Sequence, residues 1–521
     1  RGVFVSAQGL TNAVWARRRA LCDGARAPRF LETIPRRGYR LIAPVEPASP
    51  GAAAEEPPAR TIAVLPFADM SRERDQDYLC DGMAEELIHT LARVPELRVV
   101  ARTSAFQFKG RAADVRRIGD ELGADVVLEG SIRKEGRRLR VTAQLISAQD
   151  GFHLLSEQFD RQMDDVLVIQ EEIAHSVVTT LAATLGILPE AARGRPQPRS
   201  VAAYELYLKG LQRAASRYED DLWAAIALFE QAAEEDPEYP LPTAGLADAY
   251  SFLGHYAYLP PKSAFPRARA AAERALGLDD SSPEAHAALG LVLFSFDRDW
   301  EAGEAVLRRA IELSPDSVTP LHWYSVLCSY QGRHDEAVEL DRRALSRDPL
   351  SPYAHALAAC NLHRAGRPRE ALAAGARALE IDRRSPLAIL AIALALAETG
   401  ALDESLATLQ PLLAASGRAP TFLPWLALVL ARAGRADEAA AVAAELEQRA
   451  RSEYVSPLFH AAAELAAGRS EAARAWFERA ADERDPYLLC IGVEPLAAAA
   501  RDQPWFPELA RRVGLGAFAV L

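Results

Sequence analysis

The stretches GRHDEA, GRPREA, GALDES, GRADEA and GRSEAA begin at residues 332, 366, 400, 434 and 468, and they decide the fold of most of the chain. Their glycines are spaced by 34 residues each time, and the residue five positions after each glycine is always small. A glycine can end a helix in a tight turn, and a small residue early in the next helix lets the two helices approach closely. The period therefore predicts a series of helical hairpins, each with an apolar face that only the next hairpin can cover.

Turn-forming residues recur at nearly the same period. They stand at Pro237, Asp280, Pro315, Pro349, Arg383, Gly417, Arg451 and Pro486. The longer step from Pro237 to Asp280 is explained by an insertion around HYAYLPPKSAF, and residues 201–486 as a whole resemble the tetratricopeptide repeat family. Phe229 and Phe477 fall where that family carries a phenylalanine in its second helix. The fold class expected is mainly α, a tetratricopeptide-repeat α-solenoid of about eight repeats.

The resemblance implies a binding surface for a protein or peptide. Solenoids of this family usually bind a peptide along a concave face, which is lined by the first helix of each hairpin. Counting within the repeat places six side chains near that face: His322, Val326, Tyr330, Cys360, His363 and Arg364. The alternative is that some of these side chains pack between neighbouring hairpins.

A mixed segment precedes the repeats, between linkers rich in proline and alanine at residues 46–60 and 188–200. Apolar runs predict five strands, at residues 61–67, 97–101, 124–132, 137–147 and 152–159. Three helices are predicted, from Asp81 as N-cap to about Arg93, over residues 112–122, and from about Asp164 to Leu185. Residues 61–187 are therefore expected to form a small α/β domain.

The blocks IAVLPFADMS, DGMAEELIHTLAR, LRVVARTS, LGADVVLEGSIRKEG and VTAQLISAQDG of this segment resemble the TolB N-terminal-like (FlgO-like) domain. That domain often sits between a winged helix or an adenylate cyclase catalytic domain and a run of tetratricopeptide repeats. RDQPWFPELARRVGL (residues 501–515) is similar to the terminal helix of such proteins, so residues 487–521 are expected to form C-terminal capping helices.

The first 45 residues differ in charge from the remainder. Nine arginines against Asp23 and Glu32 give residues 1–45 a net charge of +7, so the total of −12 leaves −19 on residues 46–521. LTNAVWARRRALCD (residues 10–23) predicts a helix with polar and basic groups on its outer side, and TIPRRGYRLIAPV (residues 33–45) predicts a hairpin with arginines at its tip. Such a pair suits duplex DNA, with the helix in the major groove and the arginines on phosphate or in the minor groove. The alternative is a short arginine-rich segment that is simply solvated.

The hairpin resembles the C-terminal wing of the winged helix-turn-helix domain of OmpR/PhoB-type and CadC-like regulators. Only residues 3–45 match, roughly the second half of that domain, so residues 1–45 are expected to be a partial winged helix of an N-terminally truncated chain. The resemblance implies seven DNA-binding residues: Thr11, Asn12, Trp15, Arg18, Arg19, Arg36 and Arg37.

Other classes of function find little support. The five cysteines are scattered without a C-x-x-C pair, which favours reduced, buried thiols. The longest apolar run, residues 387–397, is far shorter than the roughly 20 residues that span a bilayer.

There is no P-loop, G-x-S-x-G or H-E-x-x-H motif, and the ten histidines are dispersed, so no enzyme activity, cofactor or metal is expected. Asp81 with Glu85 and Glu86 could mimic catalytic carboxylates, but helix capping explains them.

The sequence as a whole predicts a cytoplasmic bacterial transcriptional regulator. DNA is the expected partner of residues 1–45 once that domain is complete, and a protein or peptide is the expected partner of the repeats. Two alternatives stay open: a repeat scaffold that assembles other proteins without binding DNA, and a regulator of an attached nucleotide cyclase.

Overall fold

The computed structural model describes residues 31–34, 38–41, 60–92, 94, 97–111, 113–185, 198–215 and 217–515 of the 521-residue chain. The chain divides into two units, Arg1–Ala59 with Val178–Glu190 and Arg60–Val177 with Ala191–Leu521. In the first unit, β1 (Leu31–Ile34) and β2 (Gly38–Leu41) pair antiparallel, with Ile34 opposite Gly38. The predicted hairpin is therefore confirmed for its two strands.

One sheet carries the α/β part of the second unit. Its strands are β3 (Arg60–Val64), β4 (Ala68–Asp69), β5 (Leu97–Val99), β6 (Val126–Glu135), β7 (Arg138–Ser147) and β8 (His153–Gln162). The order is β5-β3-β6-β7-β8, with β4 beside β6; β3 pairs parallel with β5 and β6, whereas β6, β7 and β8 pair antiparallel. Ile62, Ala63 and Val64 of β3 are fully buried, as expected for a central strand with both faces covered. All five predicted strands are confirmed, although the first ends at Val64.

The helices of this part are α1 (Asp77–Leu91), α2 (Arg102–Ala105), α3 (Val115–Leu122) and α4 (Val166–Leu185), which belongs to this unit as far as Val177. Asp114 caps α3 by accepting a hydrogen bond of 2.9 Å from the backbone N of Arg116. The prediction that Asp81 caps α1 is wrong, because Asp69 accepts a hydrogen bond of 2.8 Å from the backbone N of Gln76 and the helix begins just after it. Asp81 lies in the second turn, and its carboxylate accepts from Lys109 Nζ at 2.7 and 2.8 Å.

Eight helical hairpins follow in residues 198–215 and 217–515, so the expected mainly α solenoid behind a small sheet domain is confirmed. Their helices are α5 (Val201–Ala214), α6 (Glu219–Glu235), α7 (Pro240–His255), α8 (Pro261–Leu278), α9 (Pro283–Leu291), α10 (Trp300–Leu313), α11 (Val318–Tyr330), α12 (His334–Arg347), α13 (Pro352–Arg364), α14 (Pro368–Ile381), α15 (Pro386–Glu398), α16 (Leu402–Ala415), α17 (Leu423–Arg432), α18 (Ala436–Arg449), α19 (Pro457–Ala466) and α20 (Ser470–Asp482). The odd-numbered members are the first helices of the hairpins. Short 3-10 turns at Pro486–Gly492 and Pro495–Ala497 lead to α21 (Ala498–Arg501) and α22 (Phe506–Arg512).

The periodic glycines stand at the corners of the hairpins, as predicted. Gly332, Gly366, Gly400, Gly434 and Gly468 have φ between 69° and 86°, a region that side chains rarely adopt. The small residues that follow them are at most 1 % exposed: Ala337, Ala371, Ser405, Ala439 and Ala473. In the first three hairpins the left-handed residue is Arg217, Ala257 or Arg298, which explains why the glycine register begins only at Gly332.

The α/β part docks directly onto the repeats. Ser104 Oγ donates a hydrogen bond of 2.5 Å to Asp348 Oδ1 and accepts one of 2.7 Å from the backbone N of Leu350. The backbone N of Ala101 donates to the carbonyl of Arg347 at 2.8 Å. Leu350 also packs into the apolar cluster on one face of the sheet. These contacts, which we call the joint, fix the sheet to the turn between α12 and α13.

The longest apolar run of the sequence lies in α15. Ala388 and Ala391 are fully buried there and Leu394 is 3 % exposed, so the run is explained by packing between hairpins. None of the helices in the described ranges is both long enough and apolar enough to pass through a bilayer.

The corner glycines provide a test of the fold. A Cβ added at Gly434 meets no atom within 4 Å, so Gly434→Ala changes only the backbone preference at φ +73°. We expect the free energy of unfolding to fall by about 1–2 kcal/mol, measured by urea denaturation. The matched control is Gly277→Ala, which is equally unobstructed but lies inside α8. It should leave stability unchanged or raise it by up to about 1 kcal/mol, and equal losses in both variants would contradict the assigned turn.

Candidate functional site

The seven residues expected to bind DNA cannot be placed by the structure. Thr11, Asn12, Trp15, Arg18, Arg19, Arg36 and Arg37 all lie outside the described residues. The described strands β1 and β2 flank positions 35–37. The expected DNA contacts therefore stay predictions.

The six residues expected to line a peptide groove lie on α11 and α13. His322, Val326 and Tyr330 are spaced by four residues and share one side of α11, while the other three occupy the last turns of α13. Five of the six are no more than 6 % exposed, and the Arg364 side chain is 13 % exposed. The structure brings these side chains together but does not leave them open to solvent.

Residues 486–497, which we call the inner segment, cover this surface. We call the side of the solenoid formed by the first helices the inner face; the inner segment contacts it at α7, α11, α15 and α17. His363 Nε2 lies 2.9 Å from Glu494 Oε1, and Arg364 Nε lies 3.5 Å from Glu494 Oε2. The Arg364 guanidinium lies 5.4 Å from the centre of the Tyr330 ring. Glu494 is only 2 % exposed, so the chain itself supplies the group that these residues hold.

The expectation that these six side chains face an open groove is therefore corrected. Leu488 and Leu489 of the inner segment are fully buried and Ile491 is 4 % exposed. Each buried side chain of this size contributes about 1.5–3 kcal/mol, so the chain gains by covering its own inner face. The sequence suggested that residues 487–521 cap the last repeat, but residues 487–497 reach back to hairpins far earlier in the chain.

A second group on the inner face was missed by sequence reasoning. The Arg217 guanidinium lies 4.0 Å from the centre of the Tyr353 ring and 4.5 Å from that of Phe252, and the His322 ring packs 5.3 Å from Tyr353. Burial, with the nearby Arg217 charge, lowers the pKa of His322 to about 3, so the imidazole is neutral. The sequence gives no signal that an arginine in a corner turn packs against these aromatic rings, because the partners lie in the second, fourth and fifth hairpins.

Buried carboxyl groups accompany these cations. Burial raises the pKa of Asp341 to about 7, although Asn361 Nδ2 donates a hydrogen bond of 2.8 Å to its Oδ2. Burial likewise raises the pKa of Asp248 and of Asp485 to about 6. Near neutral pH, Asp341 is thus about half protonated, whereas Asp248 and Asp485 are mostly ionised.

The described cysteines are buried thiols, and the described histidines do not group into a metal site. Cys80, Cys328, Cys360 and Cys490 are free and buried, as predicted; Cys22 lies outside the described residues. Burial raises the pKa of the Cys360 thiol to about 11, which works against a thiolate nucleophile. Within the described ranges, no three His, Cys, Asp or Glu side chains are grouped closely enough to hold a metal ion.

Two family models match parts of the chain. The model of the HilA/YgeH-like transcriptional regulator, second domain, matches residues 58–176, where the sequence suggested a TolB N-terminal-like domain. A tetratricopeptide repeat model matches residues 263–318 and 390–454. The chain thus carries a HilA/YgeH-like regulator domain followed by tetratricopeptide repeats.

Two named relatives are similar to only part of this chain. A Rhizobium meliloti (strain 1021) protein described as putative adenylate cyclase 3 is 33 % identical over 265 residues, which is 49 % of this chain and 44 % of that protein. Transcriptional regulator HilA of Salmonella typhimurium is 24 % identical over 350 residues, 66 % of this chain and 60 % of HilA. The chain therefore spans less than two thirds of either relative's length.

Solved structures with a similar fold are repeat proteins. A thermophilic TPR protein from Thermus thermophilus aligns with 37 % of this chain and 99 % of its own, at 21 % identity and a TM-score of 0.32. A tetratricopeptide repeat protein from Parabacteroides merdae aligns with 50 % of this chain and 96 % of its own, at 15 % identity and a TM-score of 0.34.

The raised pKa of Asp341 predicts a pH-dependent stability. The folded pKa of Asp341 lies above that of an unfolded aspartate, so the folded carboxyl stays protonated at pH values where the unfolded one has ionised. The stability of the parent is therefore highest below about pH 4 and falls as pH rises to about 7. Asp341→Asn should therefore gain stability relative to the parent across that window, by up to roughly 4 kcal/mol. Urea denaturation of both proteins at several pH values measures this difference, and a difference independent of pH would contradict the assignment.

The ion pair of Glu494 gives a second prediction. Glu494→Ala leaves the buried Arg364 charge without this partner and removes the acceptor of His363, so we expect a loss of about 3–5 kcal/mol in the free energy of unfolding. Glu508→Ala is the control, since it breaks an exposed pair with Arg511 and should leave stability nearly unchanged. A small loss for Glu494→Ala would show that the inner segment is not held by this contact.

Proposed function

We propose that this protein is a DNA-binding transcriptional regulator whose repeats bind a protein or peptide partner. The observation that carries the proposal is the match of residues 58–176 to the HilA/YgeH-like regulator domain, joined to tetratricopeptide repeats. The relation to HilA itself, at 24 % identity over 350 residues, supports the same class. The four cysteines that the structure describes are buried and unpaired, which suits the cytoplasm, and we propose that the protein acts without a catalytic site.

In this proposal DNA is read by residues 1–45. Thr11, Asn12, Trp15, Arg18 and Arg19 enter the major groove, and Arg36 and Arg37 contact phosphate or the minor groove. The antiparallel pairing of β1 and β2 supports a hairpin with positions 35–37 at its tip. The net charge of +7 on this segment suits a polyanion, whereas the −19 on the remaining residues opposes one.

A second candidate function has one observation in its favour. The identity of 33 % to a putative adenylate cyclase suggests a regulator of a nucleotide cyclase attached to the same chain. A scaffold that does not bind DNA is the third candidate. DNA binding separates the first candidate from the other two.

The proposal predicts salt-dependent binding of the full-length protein to duplex DNA. With a duplex selected from a random-sequence pool, the logarithm of the affinity should fall with the logarithm of salt, by about 0.9 for each phosphate contact. Replacing Arg36 and Arg37 together with alanine should weaken binding to all sequences and reduce that slope by about 2. Asn12→Ala should instead relax the preference between sequences, and fluorescence anisotropy measures all three effects.

The matched control for the arginine pair is Arg511→Ala, which removes an exposed arginine from the acidic part of the chain and should not change DNA binding. Equal DNA affinity in the parent and in the Arg36/Arg37 variant would exclude these residues as phosphate contacts. If the full-length protein shows no detectable binding to duplex DNA, the first candidate is excluded, and the scaffold and the cyclase regulator remain.

A further inference from the structure

The sheet of the α/β part ends in a long strand whose outer side is open. β8 pairs with β7, and no other strand in the described ranges pairs with the far side of β8. This strand has ten residues, whereas β5 at the opposite end of the sheet has three. A long open edge can pair with a strand of another chain, and proteins usually keep such edges short, charged or covered.

The register of β7 and β8 shows which backbone groups lie on the open edge. The backbone N of Met163 donates to the carbonyl of Arg137 at 2.8 Å, in step with the pairing of the two strands. Bonded pairs alternate along an antiparallel ladder, so past the bulge near its start the odd-numbered residues of β8 bond to β7. The N–H and C=O groups of Ser156, Gln158 and Asp160 therefore point away from β7, and these three residues are exposed.

Two opposite charges lie along this edge. Glu157 and Arg161 share a face of the sheet with Phe159, which stands midway between them. Glu157 is half-buried, and none of the described residues forms an ion pair with it. Arg161 Nη1 donates a hydrogen bond of 3.1 Å to the outward-facing carbonyl of Asp160, and Arg161 Nη2 lies 3.7 Å from Glu172 Oε2. The edge thus carries a carboxylate without a partner and a guanidinium that already reaches the outward-facing backbone.

Two β8 strands can be paired so that these charges match. Copies related by a two-fold axis run antiparallel, and their outward-facing groups bond when even-numbered residues meet even-numbered ones. If Phe159 lies opposite its own counterpart, Glu157 meets Arg161 of the second copy twice, in non-bonded pairs whose side chains are closest. Centring the pair on Glu157, Asp160 or Arg161 sets like charges against each other, and centring it on Gln158 leaves Glu157 opposite Phe159.

We propose that the protein self-associates through the open edge of β8, in the register centred on Phe159. The two six-stranded sheets then join into one. The charges that keep unrelated strands from this edge admit a second copy, because Glu157 and Arg161 exchange partners across the two-fold axis. This interface adds to the proposed function without depending on it, and it brings two copies of residues 1–45 into one assembly.

Sedimentation velocity of the full chain without DNA tests the interface. We expect a reversible monomer–dimer equilibrium in the micromolar range, because one pair of strands is a small interface. Glu157→Arg sets two arginines against each other, and Arg161→Glu sets two glutamates against each other, so each variant alone should dimerise at least about tenfold more weakly. Glu508→Arg is the matched control, since it makes the same change of charge at an exposed site on α22 and should leave the dimer unchanged.

A mixture of the two variants separates the interface from damage to the fold. In a mixed pair the two introduced charges face each other, and the native Glu157 faces the native Arg161. The affinity should therefore return to near that of the parent, and the double variant Glu157→Arg/Arg161→Glu should pair with itself in the same way. Chains that had lost their fold would not recover on mixing.

Three results would overturn the proposal. If the parent stays monomeric throughout the micromolar range, β8 is a protected edge that pairs with nothing. If both single variants dimerise as tightly as the parent, the dimer uses another surface. If the single variants dimerise weakly but do not recover when mixed, Glu157 and Arg161 do not face each other. Failure of DNA binding would overturn the proposed regulator and leave these results as they are.

Discussion

The apolar inner face of a helical hairpin has to be covered, and this requirement organises the repeats of the second unit. Neighbouring hairpins cover each other's sides, but their first helices still present a surface that stacking alone does not bury. The chain covers much of that surface with its own residues 486–497, and Glu494 enters with them as the partner of His363 and Arg364. The ion pair does not drive this arrangement, since a buried pair gains little over apolar packing; it fixes which residues meet.

The α/β part also covers surface of the repeats, and both polar and apolar contacts hold it there. A Cβ at Gly82 of α1 would lie 2.3 Å from Leu208 of α5, so this glycine permits the close approach of the two helices. The joint at Ser104, Asp348 and Leu350 adds buried hydrogen bonds at a second place. Two separated contacts restrain rotation as well as distance. The HilA/YgeH-like domain is therefore held both to the first hairpin and to the turn between the fourth and fifth hairpins.

Local signals were sufficient for much of this architecture. The corner glycines and the strand periodicity each depend on a few neighbouring residues, so the hairpins and the five strands could be predicted from the sequence. The inner segment could not, because Glu494 and His363 are 131 residues apart and neither carries a pattern of its own. The error at Asp81 has a similar cause: its partner Lys109 is 28 residues away, and the observed N-cap is Gln76, five residues earlier, whose backbone N donates to Asp69. Counting within the repeat could group the six side chains on α11 and α13, but what covers them depends on contacts across several repeats.

Burial among the repeats works against charge of either sign, and arginine is the residue that cannot respond by becoming neutral. Desolvation raises the pKa of Asp248 to about 6 and of Asp341 to about 7, and lowers the pKa of His255 to about 4, so each of these groups is shifted toward its neutral form. Arginine cannot become neutral in this way, because the guanidinium does not lose its proton in proteins. Arg217 and Arg364 are accordingly placed over the rings of Phe252, Tyr353 and Tyr330, whose faces attract a cation without requiring a buried anion for each. A lysine at either position would lose the planar stacking and could deprotonate, so aromatic faces beside an arginine are the arrangement that keeps a permanent charge in this interior.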